Sequence, residues 1–274
     1  VPEVFPLDPA AQATIDADYR TEEERHALRV FHGVCDERDL ISAELRAIVA
    51  LNAWDFDHPS LADESVPAAI RAEAKLHAGD PQAAIDLLDG VNTVRAARVR
   101  AEALEALGRS EAADRAVDEP VRVLLAGRVE DPAVLVEGVR SLKLRARLLG
   151  QPAKDFQTMM NLLGRARTEL GRLHWPAYLA EAELLLEKDN PAEAIRALHQ
   201  ALSLNPREAA AWYRLGLVAA DRFDFGSARI AAMALRRLNP QHPLADLLMA
   251  EVKLIEDDPE GAREHVERVL AKHP

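Results

Sequence analysis

Three prolines, Pro206, Pro240 and Pro274, follow one another at intervals of 34 residues. Ala194, Ala228 and Ala262 keep the same interval, and so do Asn190, Asp224 and Asp258. A fixed period of this length means one small supersecondary unit repeated along the chain, and such a unit cannot cover its own apolar face. Only stacking of successive units covers it, which constrains the fold to an array with a continuous core. Composition decides what the units are made of. With 50 Ala and 38 Leu against 20 Val and 8 Ile, helix formers dominate, which argues against an all-β or parallel-sheet fold.

The punctuation is helical as well. Asp8-Pro9, Asp80-Pro81, Asp131-Pro132, Asn190-Pro191 and Asp258-Pro259 each join an N-cap acceptor to a proline at the first helical position, where its missing N–H costs nothing. Thr21 and Glu24 have the spacing of a capping box. Gly79, Gly90, Gly108 and Gly150 each follow a helical run, as left-handed C-caps do. Together these signals predict helices at about 9–19, 22–35, 39–54, 66–78, 81–89, 93–107, 111–118, 120–128, 132–149, 152–171, 176–188, 191–204, 208–222, 226–238, 243–256 and 259–272. The short loops between them imply antiparallel neighbours. Residues 1–8 and 55–65 read as longer irregular stretches.

The residues that recur are those of a known repeat. In 209–242, Trp212, Leu215, Gly216 and Ala219 lie on the first helix, and Ala228, Ala232 and Pro240 on the second, with Leu235 at a position usually held by Ala. Tyr178, Ala182, Leu185, Ala194, Leu198, Ala201 and Pro206 match in 175–208, and Met249, Ala250, Ala262, Val266, Val269 and Pro274 in 243–274. This pattern resembles the tetratricopeptide repeat family. Upstream it loosens: 136–169 fits the frame, residues 170–174 are five in excess, and 65–91, 94–121 and 24–57 match at fewer positions. The resemblance implies an all-α, right-handed α-solenoid of antiparallel helix pairs. One continuous array is expected, with an acidic N-terminal segment at 1–64, divergent pairs at 65–174 and three regular units at 175–274.

Chemistry-bearing motifs do not emerge. There is no glycine-rich phosphate loop and no His-Glu-x-x-His, and no two of the nine His have a helical metal-ligand spacing. Cys35 near His32 reads as a structural cysteine, and Asp36-Glu37-Arg38-Asp39 and Asp257-Asp258 as turn and capping clusters. Trp54, Trp175 and Trp212 read as core anchors, and His242 as a turn residue. No cofactor and no metal are implied. No stretch approaches the length of a membrane span. The lone cysteine leaves the compartment open, with the cytoplasm slightly favoured.

The net charge of −12 argues against a nucleic-acid partner. It is unevenly spread: residues 1–64 carry 5 basic and 15 acidic groups, whereas 132–174 carry 8 basic and 3 acidic. That basic island holds Arg140, Lys143, Arg145, Arg147, Lys154, Arg165, Arg167 and Arg172. By the family's frame, the first helix of each unit faces a concave groove that binds peptides or partner helices. The groove-facing residues implied are Arg140, Leu144 and Arg147, then Leu179 and Glu183, then Tyr213, Arg214 and Leu217, then Leu247 and Glu251. Leu186, Asp221 and Leu254 continue the same faces. The expected function is a non-catalytic protein-interaction scaffold, its partner a protein or peptide segment, acidic and partly apolar. Self-association through the chain's own acidic end is a further expectation. The alternative is that the array is the repeat arm of a larger enzyme, an expectation prompted by the missing Met and the end at Pro274.

Overall fold

The computed structural model describes residues 42–127, 129–151 and 154–271. A lone helix, α1 (Ala43–Asn52), and a short 3₁₀ turn (Pro59–Leu61) lead into six helix pairs. The first three are α2 (Ala68–His77) with α3 (Pro81–Leu87), α4 (Val94–Ala106) with α5 (Ser110–Leu125), and α6 (Pro132–Leu148) with α7 (Phe156–Arg165). The last three are α8 (Trp175–Glu187) with α9 (Pro191–Leu204), α10 (Ala209–Asp221) with α11 (Phe225–Leu238), and α12 (Pro243–Ile255) with α13 (Pro259–Leu270). No strand occurs among the described residues. The protein is an all-α solenoid of paired helices.

One backbone device closes every pair. Gly79, Gly108, Gly150, Asp189, Phe223 and Asp257 stand just past the first helix with φ between +53° and +87°. The residue after each donates its N–H to the carbonyl five residues back, as Asp80 does to Lys75 and Asp224 to Ala219, both at 2.9 Å. This is the Schellman turn, which satisfies carbonyls a helix end leaves orphaned. That next residue often begins the second helix: Asp80, Asn190, Asp224 and Asp258 each accept an N–H with the side chain. Asp131 caps α6 by accepting from Ala133 and Val134. Trp54 closes α1 in the same conformation, at φ +55°. For residues with a Cβ the left-handed region costs roughly 1–2 kcal/mol, so Trp54 and Phe223 are strained where glycine would not be.

Pairs stack because their facing positions are small. Ala194, Ala228 and Ala262, the alanines of the period, are all buried. Successive first helices pack on one another from α2 through α8, and α10 on α12. Gly216 sits at one of these approaches, that of α10 to α12. A Cβ built there would lie 2.2 Å from Leu248 of α12 and 3.1 Å from Ala231 of α11.

Two sequence expectations need correction. Residues 111–118 and 120–128 are not separate helices: α5 runs unbroken through Pro120. Val117, Val121 and Leu124 all enter the core shared with α6, and that packing outweighs the one backbone hydrogen bond proline removes. Nor is 152–171 uniformly α-helical. After α7 the chain widens into a π-helical turn at Ala166–Leu170, and Gly171 leaves it in extended conformation. Of the five residues that break the period, Leu170 ends this turn and 171–174 form the loop that leads into α8. Asp8-Pro9, the Thr21–Glu24 box, the Cys35 and Asp36–Asp39 sites and Pro274 lie outside the described residues.

The two ends of the array meet. The Trp54 carbonyl accepts from Asn239 Nδ2 at 3.3 Å, across 185 residues of chain. The Trp54 ring lies 5.2 Å from His77 and 5.6 Å from His242, centroid to centroid. His242 is wholly buried and caps α12 by accepting from Leu244 N–H. Burial pushes its imidazole down to about 4, so it packs neutral against the indole.

Gly216→Leu should therefore destabilise the α10–α13 end by about 1–3 kcal/mol, since Leu248 and Ala231 leave no room for the added carbons. Chemical denaturation of the full chain followed by circular dichroism measures it, and an unchanged midpoint would contradict the packing described.

Candidate functional site

First helices of the pairs, with α1, enclose a groove of about 1270 Å³. Its apolar lining comes from Leu45, Ile48 and Leu51 of α1, Trp54 in the closing turn, Leu144 of α6, Leu179 of α8, Tyr213 of α10 and Leu244 of α12. The π turn and the residues after it, Thr168 to His174, form one stretch of wall. The period-breaking residues are thus part of the groove.

Charged side chains line the rest, and they are matched. The basic residues are Arg95, Arg98, Arg140, Lys143, Arg147, Arg172 and Arg214, and the acidic ones Glu44, Glu73, Glu102, Glu137, Glu169, Glu183 and Glu208, seven of each. Arg98 is their hub. It is buried on α4 and reaches Glu73 of α2 at 2.6 Å, Glu102 of its own helix at 2.7 Å, and Glu137 of α6. Arg95 adds a second cation to Glu73 at 2.6 Å. Burial opposes ionisation of Glu73, but Arg95 and Arg98 overcome it and hold the carboxyl well below its usual range. Burial also opposes the charge on Arg98, and Glu102, Glu137 and Glu73 overcome it. A second cluster joins α8 to its neighbours: Glu183 meets Arg214 of α10 at 2.6 Å and Lys143 of α6 at 3.8 Å. Despite burial, Arg214, Arg140 and Lys143 lower the Glu183 carboxyl.

Glu208 is the exception. It caps α10 by accepting from Ala210 N–H at 3.1 Å, while its other oxygen, Oε2, is buried with no hydrogen-bond partner. Burial pushes this carboxyl up to about 8, so it is largely protonated at neutral pH.

Of the residues expected to face the groove, Arg140, Leu144, Arg147, Leu179, Glu183, Tyr213 and Arg214 line it. Leu217, Leu247 and Glu251 do not. Leu217 packs against the Ala231–Leu248 core, Leu247 joins the Trp54 seam, and Glu251 is exposed on α12. Of the three, only Leu247 is taken up by the contact between Trp54 and the α11–α12 turn. The basic island is also not a free basic surface. Arg140 pairs with Glu137 at 3.5 Å, and Arg147 with Glu105. Lys143 pairs with Glu187 at 2.7 Å, Arg145 with Asp118 at 2.8 Å, and Arg167 with Glu181 at 3.0 Å. Sequence reasoning missed Glu73, Arg98 and Glu208: Arg98 meets Glu73 and Glu137 across 25 and 39 residues, and Glu208 has no ion-pair partner among the described residues. A charged residue flanked by helix-core alanines, as Arg98 is by Ala96, Ala97 and Ala101, was the available signal.

No family model matches the chain, and no curated protein matches it. Solved structures do, among them the crystal structure of MamA, at 20% identity and a TM-score of 0.43 over 63% of this chain and 93% of that one. The solenoid itself stands on the turns and packing already described. No helix among the described residues is long and apolar enough to cross a membrane.

The Glu208 carboxyl gives a pH test. Its folded pKa lies above the unfolded value of about 4.3, so it favours the folded state most at low pH, and that contribution is lost as pH rises from about 4.5 through 8. Glu208→Gln keeps an acceptor for Ala210 and does not titrate. Relative to wild type the variant should gain on the order of 2–4 kcal/mol between pH 5 and pH 9, at about 1.4 kcal/mol per pK unit. Denaturant titrations at both pH values check it, and a pH-independent difference would refute the buried protonated state.

Proposed function

We infer that the groove holds a segment of another protein and that the chain is an interaction scaffold without chemistry of its own. What carries this reading is the lining: a continuous cavity of about 1270 Å³, apolar along α1, α8, α10 and α12, with its charges largely matched inside the fold. Such a surface offers shape and apolar area together with few unsatisfied charges, the chemistry of a groove for an amphipathic segment. The acidic part of the partner falls at the edge. Arg147 is the most exposed of the groove's paired arginines, and Arg172, also in the lining, has no carboxylate partner among the described residues. These two guanidiniums can take carboxylates without uncovering a buried counter-charge. Arg140, tucked against Glu137, serves the packing of α6 instead.

A photocrosslinking residue at Ile48 or Tyr213 should capture a discrete protein in the native host, and one at Arg196, on the outer face of α9, should not. Arg147→Glu with Arg172→Glu should lower the groove adduct by about tenfold and weaken its dependence on salt. Equal capture from Arg196, or none from the groove positions, would overturn the reading.

A further inference from the structure

Second helices of the last three pairs can be compared position by position across the period. On α9 and the turn before it, the outward positions are Asp189, Arg196 and His199; for α13 they are Asp257, Glu264 and Glu267, all exposed. The equivalent positions at α11 hold Phe223, Ile230 and Met233. These three are 71%, 58% and 50% exposed. Ile230 and Met233, three apart, share one helix face, and Phe223 stands in the turn that starts the helix, its ring edge-on to Phe225 at 6.2 Å. Polar residues in both flanking units show that neither the repeat's packing nor its turn requires apolar side chains here.

The backbone points the same way. Phe223 takes the left-handed conformation that sister turns give to Gly or Asp. Trp54, the other aromatic residue in that conformation, is explained by its contacts with His77 and His242. Phe223 is strained and presented to solvent, and strain kept at an exposed side chain points to a use for that side chain. Around it, Arg229 pairs with Glu256 and Arg236 with Asp246 at 3.2 Å, but Arg222 and Arg237 have no carboxylate partner among the described residues. Each end of the stripe therefore carries a guanidinium that no described carboxylate pairs.

An apolar stripe between these arginines fits a segment that is itself acidic and partly apolar. Residues 1–41 of this chain have that chemistry, with 10 acidic against 4 basic side chains, and Val4, Phe5, Leu7, Ile15 and Tyr19 among them. No described residue of the same chain covers the stripe. We propose that the outer face of α11 is a homotypic docking surface, on which a second copy of the chain lays its acidic residues 1–41. The contact joins different surfaces of the two copies, so it is head-to-tail unless a reciprocal pair closes it.

The test is the mass of the full chain by light scattering over a range of concentrations and salt. Wild type should associate with rising concentration and dissociate as salt increases. Replacing the three residues by those of the α9 unit, Phe223→Asp, Ile230→Arg and Met233→His, should weaken association by about tenfold or more. Helical content should be unchanged, because the sister unit folds with those residues. Arg222→Glu with Arg237→Glu should weaken it similarly, and so should Asn and Gln in place of the carboxylates of 1–41. A wild type that stays monomeric, including one whose own residues 1–41 fold back onto the stripe, overturns the proposal. So does association that survives the three-residue exchange. Groove crosslinking from Tyr213 should be unaffected by that exchange, so failure here is separable from failure of the groove reading.

Discussion

A pair of short helices has an apolar face that it cannot cover alone, and everything else in this structure follows from how successive pairs cover it. Close stacking requires small side chains where helices meet, and the chain supplies them in Ala72, Ala101, Ala182, Ala194, Gly216 and Ala228, all buried. Helices that approach so nearly also bring their polar residues together along the concave side. Arg98 on α4 is then in reach of Glu73 on α2 and Glu137 on α6. An isolated buried guanidinium would be prohibitively costly; three carboxylates from three successive first helices make it tolerable. Removing one partner would leave a charge stranded, so the network fixes the register of the stack whatever its net effect on stability.

That pairing decides the character of the groove. A count of basic residues along 132–174 suggests a positive trough, but Glu137 within it and Glu105, Asp118, Glu181 and Glu187 from other helices neutralise much of it. What remains for a ligand is apolar surface and shape, with charge left mainly at the edge. Glu208 fits the same logic from the other side: without a cation in contact, burial keeps it protonated. The groove's interior thus spends its ionisable groups on the stack.

The period made the pairs and their turns legible, because a Schellman turn and an N-cap are local and need no knowledge of distant residues. Asp80, Asp131, Asn190 and Asp258 cap the helices their sequence positions suggest. Proline misled at 120, where local propensity argued for a break and the core formed by Val117, Val121 and Leu124 held the helix together. The positions on α6, α8 and α10 that line the groove, Arg140, Leu144, Arg147, Leu179, Glu183, Tyr213 and Arg214, are ones the family's frame implied. Leu217 and Glu251 lie elsewhere, and Leu247 joins Trp54 where the α1 end meets the α11–α12 turn, a contact across 185 residues that no repeat pattern encodes. The same holds for the Arg98 hub, whose partners come from different units.

The left-handed turn residue offers a way to read the units that periodicity cannot. Six pairs use one backbone conformation at that position, and Gly79, Gly108, Gly150, Asp189 and Asp257 meet it with residues suited to positive φ. Departures from that set are costly to the turn and need some other interaction to offset them. At the equivalent turn after α1, Trp54 is offset by the seam, where indole, imidazole and the Asn239 amide join the two ends of the array. At α11 the offset is not within the described residues, since Phe223 faces solvent. A repeat protein whose units share one frame thereby marks its specialised unit twice, by a side chain the frame does not need and by a backbone conformation that side chain does not favour.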